Sequence, residues 1–184
     1  MNKFYILIFS IFLLTACEGE RKVSEIQHRD GLVYAPNETT PFSGAYDGKE
    51  NVGGYKKVRV FAEYKDGKFD GVMRIWHENK QLSTEMYFAK GINHGLARSW
   101  YKDGQLKAQG NFDNGIQEGV QETWHKNGRL KSKVNFENGK KEGLQESWYK
   151  NGQLKSKANY EKNKLKGVVE EWNQDGNKPY KDKY

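Results

Sequence analysis

From Val120 to Phe136 the side chains alternate with a period of two. Val120, Glu122 and Trp124 alternate with Gln121, Thr123 and His125; then Leu130, Ser132, Val134 and Phe136 alternate with Lys131, Lys133 and Asn135. A period of two marks a strand, because successive strand side chains point to opposite faces. Between the two segments stands Asn127-Gly128, and Asp103-Gly104, Asn151-Gly152 and Asp175-Gly176 hold the same place elsewhere. Such dipeptides supply the positive φ values of a type I′ turn. The pattern predicts a β-hairpin with Trp124, Leu130 and Phe136 on one face and the lysines on the other.

The hairpin recurs. Trp76, Trp100, Trp124, Trp148 and Trp172 are spaced by 24 residues, as are Gly71, Gly95, Gly119, Gly143 and Gly167. The spacing predicts repeats at about 44–70, 71–94, 95–118, 119–142 and 143–166, with a partial one at 167–184. Asn79-Lys80 breaks the turn motif in the second repeat, which predicts a strained or slightly longer turn there. A second punctuation closes each hairpin: Asp66-Gly67, Lys90-Gly91, Asn114-Gly115, Asn138-Gly139, and Asn163 without its glycine. A lone hairpin is marginal in water. Side by side, the hairpins predict an all-β fold: a single elongated, twisted antiparallel β-meander. On one face it would stack a Trp row, a Leu row (Leu82, Leu106, Leu130, Leu154) and a Phe/Tyr row (Tyr64, Phe88, Phe112, Phe136, Tyr160). The first repeat is stretched, its surplus falling in 47–54. Leu32–Tyr34 is a candidate cap for one sheet edge; Lys178, Pro179, Lys181 and Lys183 read as a blunted edge at the other.

Composition agrees with a thin fold. Hydrophobic residues make up 35% and charged residues 30%, too polar for a thick two-layer core, while 14% aromatic is too rich for a disordered chain. The single cysteine leaves no intramolecular disulfide.

That cysteine closes a targeting segment. Lys3 is followed by a mostly apolar run, Phe4 to Leu14, too short for a spanning helix and suited to a secretory signal. The run ends in Leu14-Thr15-Ala16-Cys17, which resembles the lipobox of bacterial lipoproteins. The resemblance implies a signal peptide at 1–16, lipidation of Cys17 and anchoring to the cell envelope. Glu18 in place of Asp favours the outer membrane. Residues 17–29 then read as a tether to the repeat domain at 30–184. Without residues 1–16 the chain keeps 30 basic and 24 acidic residues.

Little in the sequence points to catalysis. Glu122, Glu146 and Glu170 share a row with Arg74 and Arg98, and a charge ladder accounts for that row more simply than paired acid–base groups do. His77 and His125 alternate with Tyr101 and Tyr149 after successive tryptophans, which suits solvated surface better than metal ligation. No metal, cofactor or enzyme activity is expected. Lys107, Lys131, Lys133, Lys155 and Lys157 would line the face opposite the aromatics and could meet anionic lipid headgroups. Export predicts no nucleic-acid partner.

The repeat Gly-x4-Trp-x3-Gly-x-Leu-x5-Phe/Tyr-x2-Gly-x3-Gly resembles the bacterial variant of the MORN repeat, over about Pro41 to Asn177. Leu32-Val33-Tyr34 followed by Pro41-Phe42-Ser43-Gly44 is similar to the opening of bacterial antitoxins of the YwqK type. The resemblance implies an extended β-meander that binds, with no kinase machinery. Its partner would be a protein, possible toxins included, docked on Trp76, Trp100, Trp124, Trp148, Trp172, Leu106, Leu130, Leu154, Phe112, Phe136 and Tyr160. The other reading is a structural or membrane-surface envelope protein that meets anionic lipid or wall material through its lysine face.

Overall fold

The computed structural model of the protein describes residues 21–52 and 55–178. The segment 1–16, Cys17 and residues 179–184 lie outside them. The strands are β1 (Lys22–Val23), β2 (Gln27–Arg29), β3 (Leu32–Tyr34), β4 (Gly44–Val52), β5 (Tyr55–Lys65), β6 (Lys68–Trp76), β7 (Leu82–Ala89), β8 (Ile92–Asn93), β9 (Gly95–Trp100), β10 (Leu106–Asp113), β11 (Ile116–Trp124), β12 (Leu130–Glu137), β13 (Lys140–Lys141), β14 (Gly143–Trp148), β15 (Leu154–Glu161) and β16 (Lys164–Glu171). Apart from the separate β2–β3 pair they form one sheet of 14 strands in chain order, antiparallel except for β1 against β4. The meander that the alternation predicts is therefore the fold.

The register corrects the expected faces. Directly opposed residues in an antiparallel pair share a face. Glu122 opposes Lys133, and Thr123 opposes Ser132, but Trp124 opposes Leu130, so Lys131 is an extra residue in the ladder. The same β-bulge places Lys107 between the Trp100–Leu106 and Ser99–Ala108 pairs, and Lys155 between Trp148–Leu154 and Ser147–Ser156. A bulge resets the alternation. Leucine stays with tryptophan, while the remainder of the strand, down to Phe136, turns to the other side. The Trp and Leu rows thus occupy one face and the Phe/Tyr row the opposite one. The lysines divide too. Lys133 and Lys157 lie on the Trp face, whereas Lys107, Lys131 and Lys155 are bulge residues beside the turns.

The turns are also exchanged. Type I′ geometry, with both central residues at positive φ, occurs at Asp66-Gly67, Lys90-Gly91, Asn114-Gly115, Asn138-Gly139 and Lys162-Asn163. At Asp103-Gly104, Asn127-Gly128 and Asn151-Gly152 only the glycine has positive φ. There Gly128 N–H donates to the His125 carbonyl and His125 N–H to that of Arg129, a type I turn closed by a left-handed glycine. Five residues separate Trp124 from Leu130, too many for a two-residue turn if those two side chains are to pair. Lys80 takes the left-handed position itself, at φ 69, within a turn of the same length. The expected longer turn is not found, and the strain of a non-glycine residue there costs about 1–2 kcal/mol.

Each repeat opens with a step. Asn111 opposes Glu118 and Gln109 opposes Glu122, leaving Gly119 to Gln121 facing a single residue, with Gly119 at φ 72. That conformation suits glycine.

Among the described residues the buried hydrophobic cluster sits at one end, with Ala158 of β15 buried apart from it. Val33, Ala35, Phe42, Tyr46, Val60, Ala62 and Tyr64 form the cluster, with Val23, Ile26, Phe69 and Met73 packed against it. Leu32–Tyr34 is not the expected edge cap, because β1 holds the edge beside β4; it pairs with β2 and bonds to the turn after β5, Val33 N–H donating to the Gly67 carbonyl and Gly67 N–H to that of Phe42. The expected tether is corrected from residue 21 onward. Lys22 and Val23 pair with Ala45 and Tyr46, and the Arg21 carbonyl accepts Ala45 N–H at 2.7 Å. The apolar Val23 and Ile26 supply the reason, since docking removes them from water. Residues 47–52 lie in the first hairpin, which is the longest, its pairing reaching Val52 opposite Tyr55. At the far end β16 closes the sheet path. Of the expected blunting residues, Pro179, Lys181 and Lys183 fall outside the described part.

Candidate functional site

Three rows run across the strands on the Trp face. The first pairs tryptophan with leucine: Trp76–Leu82, Trp100–Leu106, Trp124–Leu130 and Trp148–Leu154. The indoles, Trp172 included, are half-buried. The second row is the expected charge ladder, with its partners now resolved. Arg74 opposes Glu85 and Glu85 opposes Arg98. Beyond them come Gln109, Glu122, Lys133, Glu146, Lys157 and Glu170, each opposite the next. Glu85 is the most enclosed, receiving Arg74 Nε at 2.8 Å and lying 3.9 Å from Arg98 Nη1. Gln109 Nε2 donates to Glu122 at 3.0 Å. At the head of the row the Arg59 and Lys22 side chains hold the Asp47 carboxyl below its usual range, and Arg59 lies 4.3 Å from the Trp76 ring centre. The third row alternates aliphatic residues with asparagine: Leu96 opposes Asn111, Val120 opposes Asn135, and Leu144 opposes Asn159.

The opposite face carries small and polar side chains beside its aromatic row. Thr123 and Ser132 share a hydrogen bond at 2.7 Å, and Ser147 and Ser156 one at 2.6 Å. Ala97 opposes Gly110, and Gln121 lies over Gly110, where a Cβ would meet its Oε1 at 2.3 Å. The aromatic row begins inside the capped end, with Tyr64 and Phe69 stacked at 4.7 Å and Phe88 5.0 Å beyond. Phe112, Phe136 and Tyr160 continue it, half-buried.

The residue after each tryptophan has a structural role that the sequence did not disclose. His77 Nε2–H donates to the Trp100 carbonyl, Tyr101 Oη–H to Trp124, His125 Nε2–H to Trp148 and Tyr149 Oη–H to Trp172, at 2.7–3.0 Å. Asn79, Asn127 and Asn151 likewise donate to the Lys102, Lys150 and Gln174 carbonyls, each at 2.7 Å. His and Tyr alternate because each can offer one donor at the same reach. The series is a set of clamps between repeats, not plain solvated surface. Its only sequence signal is that both residue types carry a donor at the end of a ring. Replacing Tyr101 or Tyr149 by Phe is expected to lower unfolding stability by about 1 kcal/mol each and to add in the double variant. Urea unfolding checks this; midpoints equal to the parent would show that the clamps contribute nothing.

Among the described residues no group of three His, Cys, Asp or Glu side chains is placed to hold a metal ion. No helix there is long and apolar enough to cross a membrane. His94 meets Asp113 at 3.3 Å on the surface, and the four-carboxylate row is neutralised by its cationic neighbours instead of converging. The arrangement is suited to binding along rows.

Comparison with known families identifies the unit. The MORN repeat variant matches residues 69–90, 93–114, 117–138 and 141–162. The step is the same 24 residues read from the tryptophans, with each unit beginning two residues before the repeat glycine. The capped first hairpin and the last strand lie outside the match. No curated protein matches the chain.

Proposed function

We propose, from the premise that residues 69–162 are an array of MORN repeats, that the protein is a binding module that docks a protein partner on its Trp face. MORN repeats are generally non-catalytic binding modules. What carries the assignment to this face is the position of the exposed apolar side chains. Of the eight large hydrophobics exposed among the described residues, Tyr87, Ile92, Ile116, Val120, Leu144 and Val168 fall on the Trp face, and Leu165 and Val169 on the other. Exposed apolar groups gathered in this way mark interaction surfaces, and half-buried tryptophans make strong anchors. The charge ladder between the apolar rows supports orientation, since complementary charges fix register more than they add affinity.

In this reading Cys17 carries the lipid, the chain is exported to the envelope, with the outer membrane favoured, and the partner is a toxin-like protein that the module neutralises. These elements rest on the lipobox and on the resemblance of the opening residues. The lysine-face alternative keeps only Lys107, Lys131 and Lys155, beside the turns, because Lys133 and Lys157 alternate with Glu122, Glu146 and Glu170 on the Trp face. The test is the pair Val120→Asp and Leu144→Asp, at 45% and 43% exposure. Substitution there spares the core and is expected to abolish co-purification of the partner while the melting temperature stays within about 2 °C. Retention of the partner by the double variant would refute the proposed docking face.

A further inference from the structure

The three stretches after Trp100, Trp124 and Trp148, each a five-residue turn with the leucine and bulge lysine that follow, carry a charge asymmetry that the balanced turns after Trp76 and Trp172 do not share. Over residues 101–107, 125–131 and 149–155 there are seven Lys or Arg and one acid, Asp103. The opposite rim, with its type I′ turns, is mixed: Asp113 and Glu118, Glu137 and Glu142 with Lys140 and Lys141, Glu161 with Lys162. None of the seven cations takes part in an ion pair among the described residues. They are drawn together regardless. Lys107 and Lys126 both lie 6.0 Å from the centre of the Tyr101 ring, and Lys155 lies 5.7 Å from that of Tyr149. In the next repeat Lys131, Lys150 and Lys155 line a hollow of about 460 Å³ with Trp148, Tyr149 and His125, without a carboxylate. Like charges gathered without a counter-charge are unfavourable, and a local cost of this kind is expected at functional positions. The bulges cause the gathering, because each turns a lysine out of the ladder and toward the turn.

We propose that this turn rim binds a linear acidic polysaccharide, independently of the protein-docking face. Equivalent turns on successive hairpins recur every two strands, about 10 Å apart. An extended peptide presents same-side groups about 7 Å apart, out of step with that repeat. A polysaccharide with one acid group per disaccharide repeats on the longer scale. Its ring faces can lie on Tyr149, its hydroxyls reach Asn151 and Gln174, and its acid groups meet the lysines.

The full-length chain should be titrated at low salt with hyaluronan oligosaccharides, which carry one carboxylate per disaccharide, and in parallel with poly-glutamate. Tryptophan fluorescence and calorimetry are the readouts. Hyaluronan is expected to bind, to bind more tightly than poly-glutamate, and to weaken with added salt. Lys131→Glu with Lys155→Glu should weaken it roughly tenfold or more, and the Gln pair less, while Lys140→Glu with Lys162→Glu, of equal charge change, should leave it within about twofold. Circular dichroism establishes that each variant is folded. Absence of hyaluronan binding by the parent chain, equal loss in both charge-reversed pairs, or equal affinity for poly-glutamate would each overturn the proposal. Partner co-purification by the Lys131→Glu, Lys155→Glu variant keeps this result separate from the docking face.

Discussion

Phe42→Ala is expected to cost about 3–5 kcal/mol, the loss typical of an aromatic core truncation that the surroundings cannot fill. Phe42 is fully buried, and its ring centre stands 6.1 Å from that of Tyr64. Its backbone joins β3 to the large sheet through Phe42 N–H to the Val33 carbonyl and Gly67 N–H to its own. Removal of the ring leaves a cavity in the cluster that joins β3 to the large sheet. In a repeat protein each unit leans on its neighbours, so the damage should be local. Hydrogen exchange should quicken in β4–β6 and stay close to the parent's in β12–β15. A uniform change along the sheet, or none, would contradict the placing of this cluster at one end.

The second large effect is expected at Gly44. It stands at φ 140, and a Cβ there would come within 2.4 Å of the Arg21 carbonyl oxygen and 3.0 Å of the Phe42 ring. Neither neighbour yields easily, since one is backbone and the other core. Gly44→Ala combines backbone strain with overpacking and should cost about 2–4 kcal/mol in total. The path of least resistance is release of Arg21–Val23 from β4, which also exposes Val23 and Ile26. Limited proteolysis should then cleave within 21–29 of the variant and spare the parent. Equal resistance in both would mean that this stretch is not held by β4.

How far the sequence discloses this molecule can be judged from particular residues. The tryptophan spacing and the alternation from Val120 to Phe136 are enough for the meander, because one period repeated five times leaves few arrangements. The faces needed one more fact. Lys131 looks like any outward lysine, but as a bulge residue it reverses the alternation beyond it, and no residue type marks such an insertion. The clue lay in loop arithmetic: pairing Trp124 with Leu130 requires five residues in the turn, while Glu137 and Lys140 enclose only two. The turn dipeptides misled for a related reason. Asn-Gly serves both turn types, and the count of residues between paired side chains chooses between them. The clamps formed by His77 and Tyr101 were hidden because their acceptor is a main-chain carbonyl, which no sequence pattern displays. The strand at Leu32–Tyr34 was visible but not its place, because the edge is taken by residues 22–23, whose docking rests on two apolar side chains within a charged stretch.

Those clamps reach forward to a group that every residue possesses. A turn that grips the carbonyl of Trp100 would grip that of Trp124 or Trp148 equally well if the intervening length were removed. Whole 24-residue lengths can therefore be duplicated or excised at the level of the gene without any joint being redesigned. The length of the surface that such a chain offers is an inherited count of units, free to change by unequal crossing-over while the fold of each unit stays fixed.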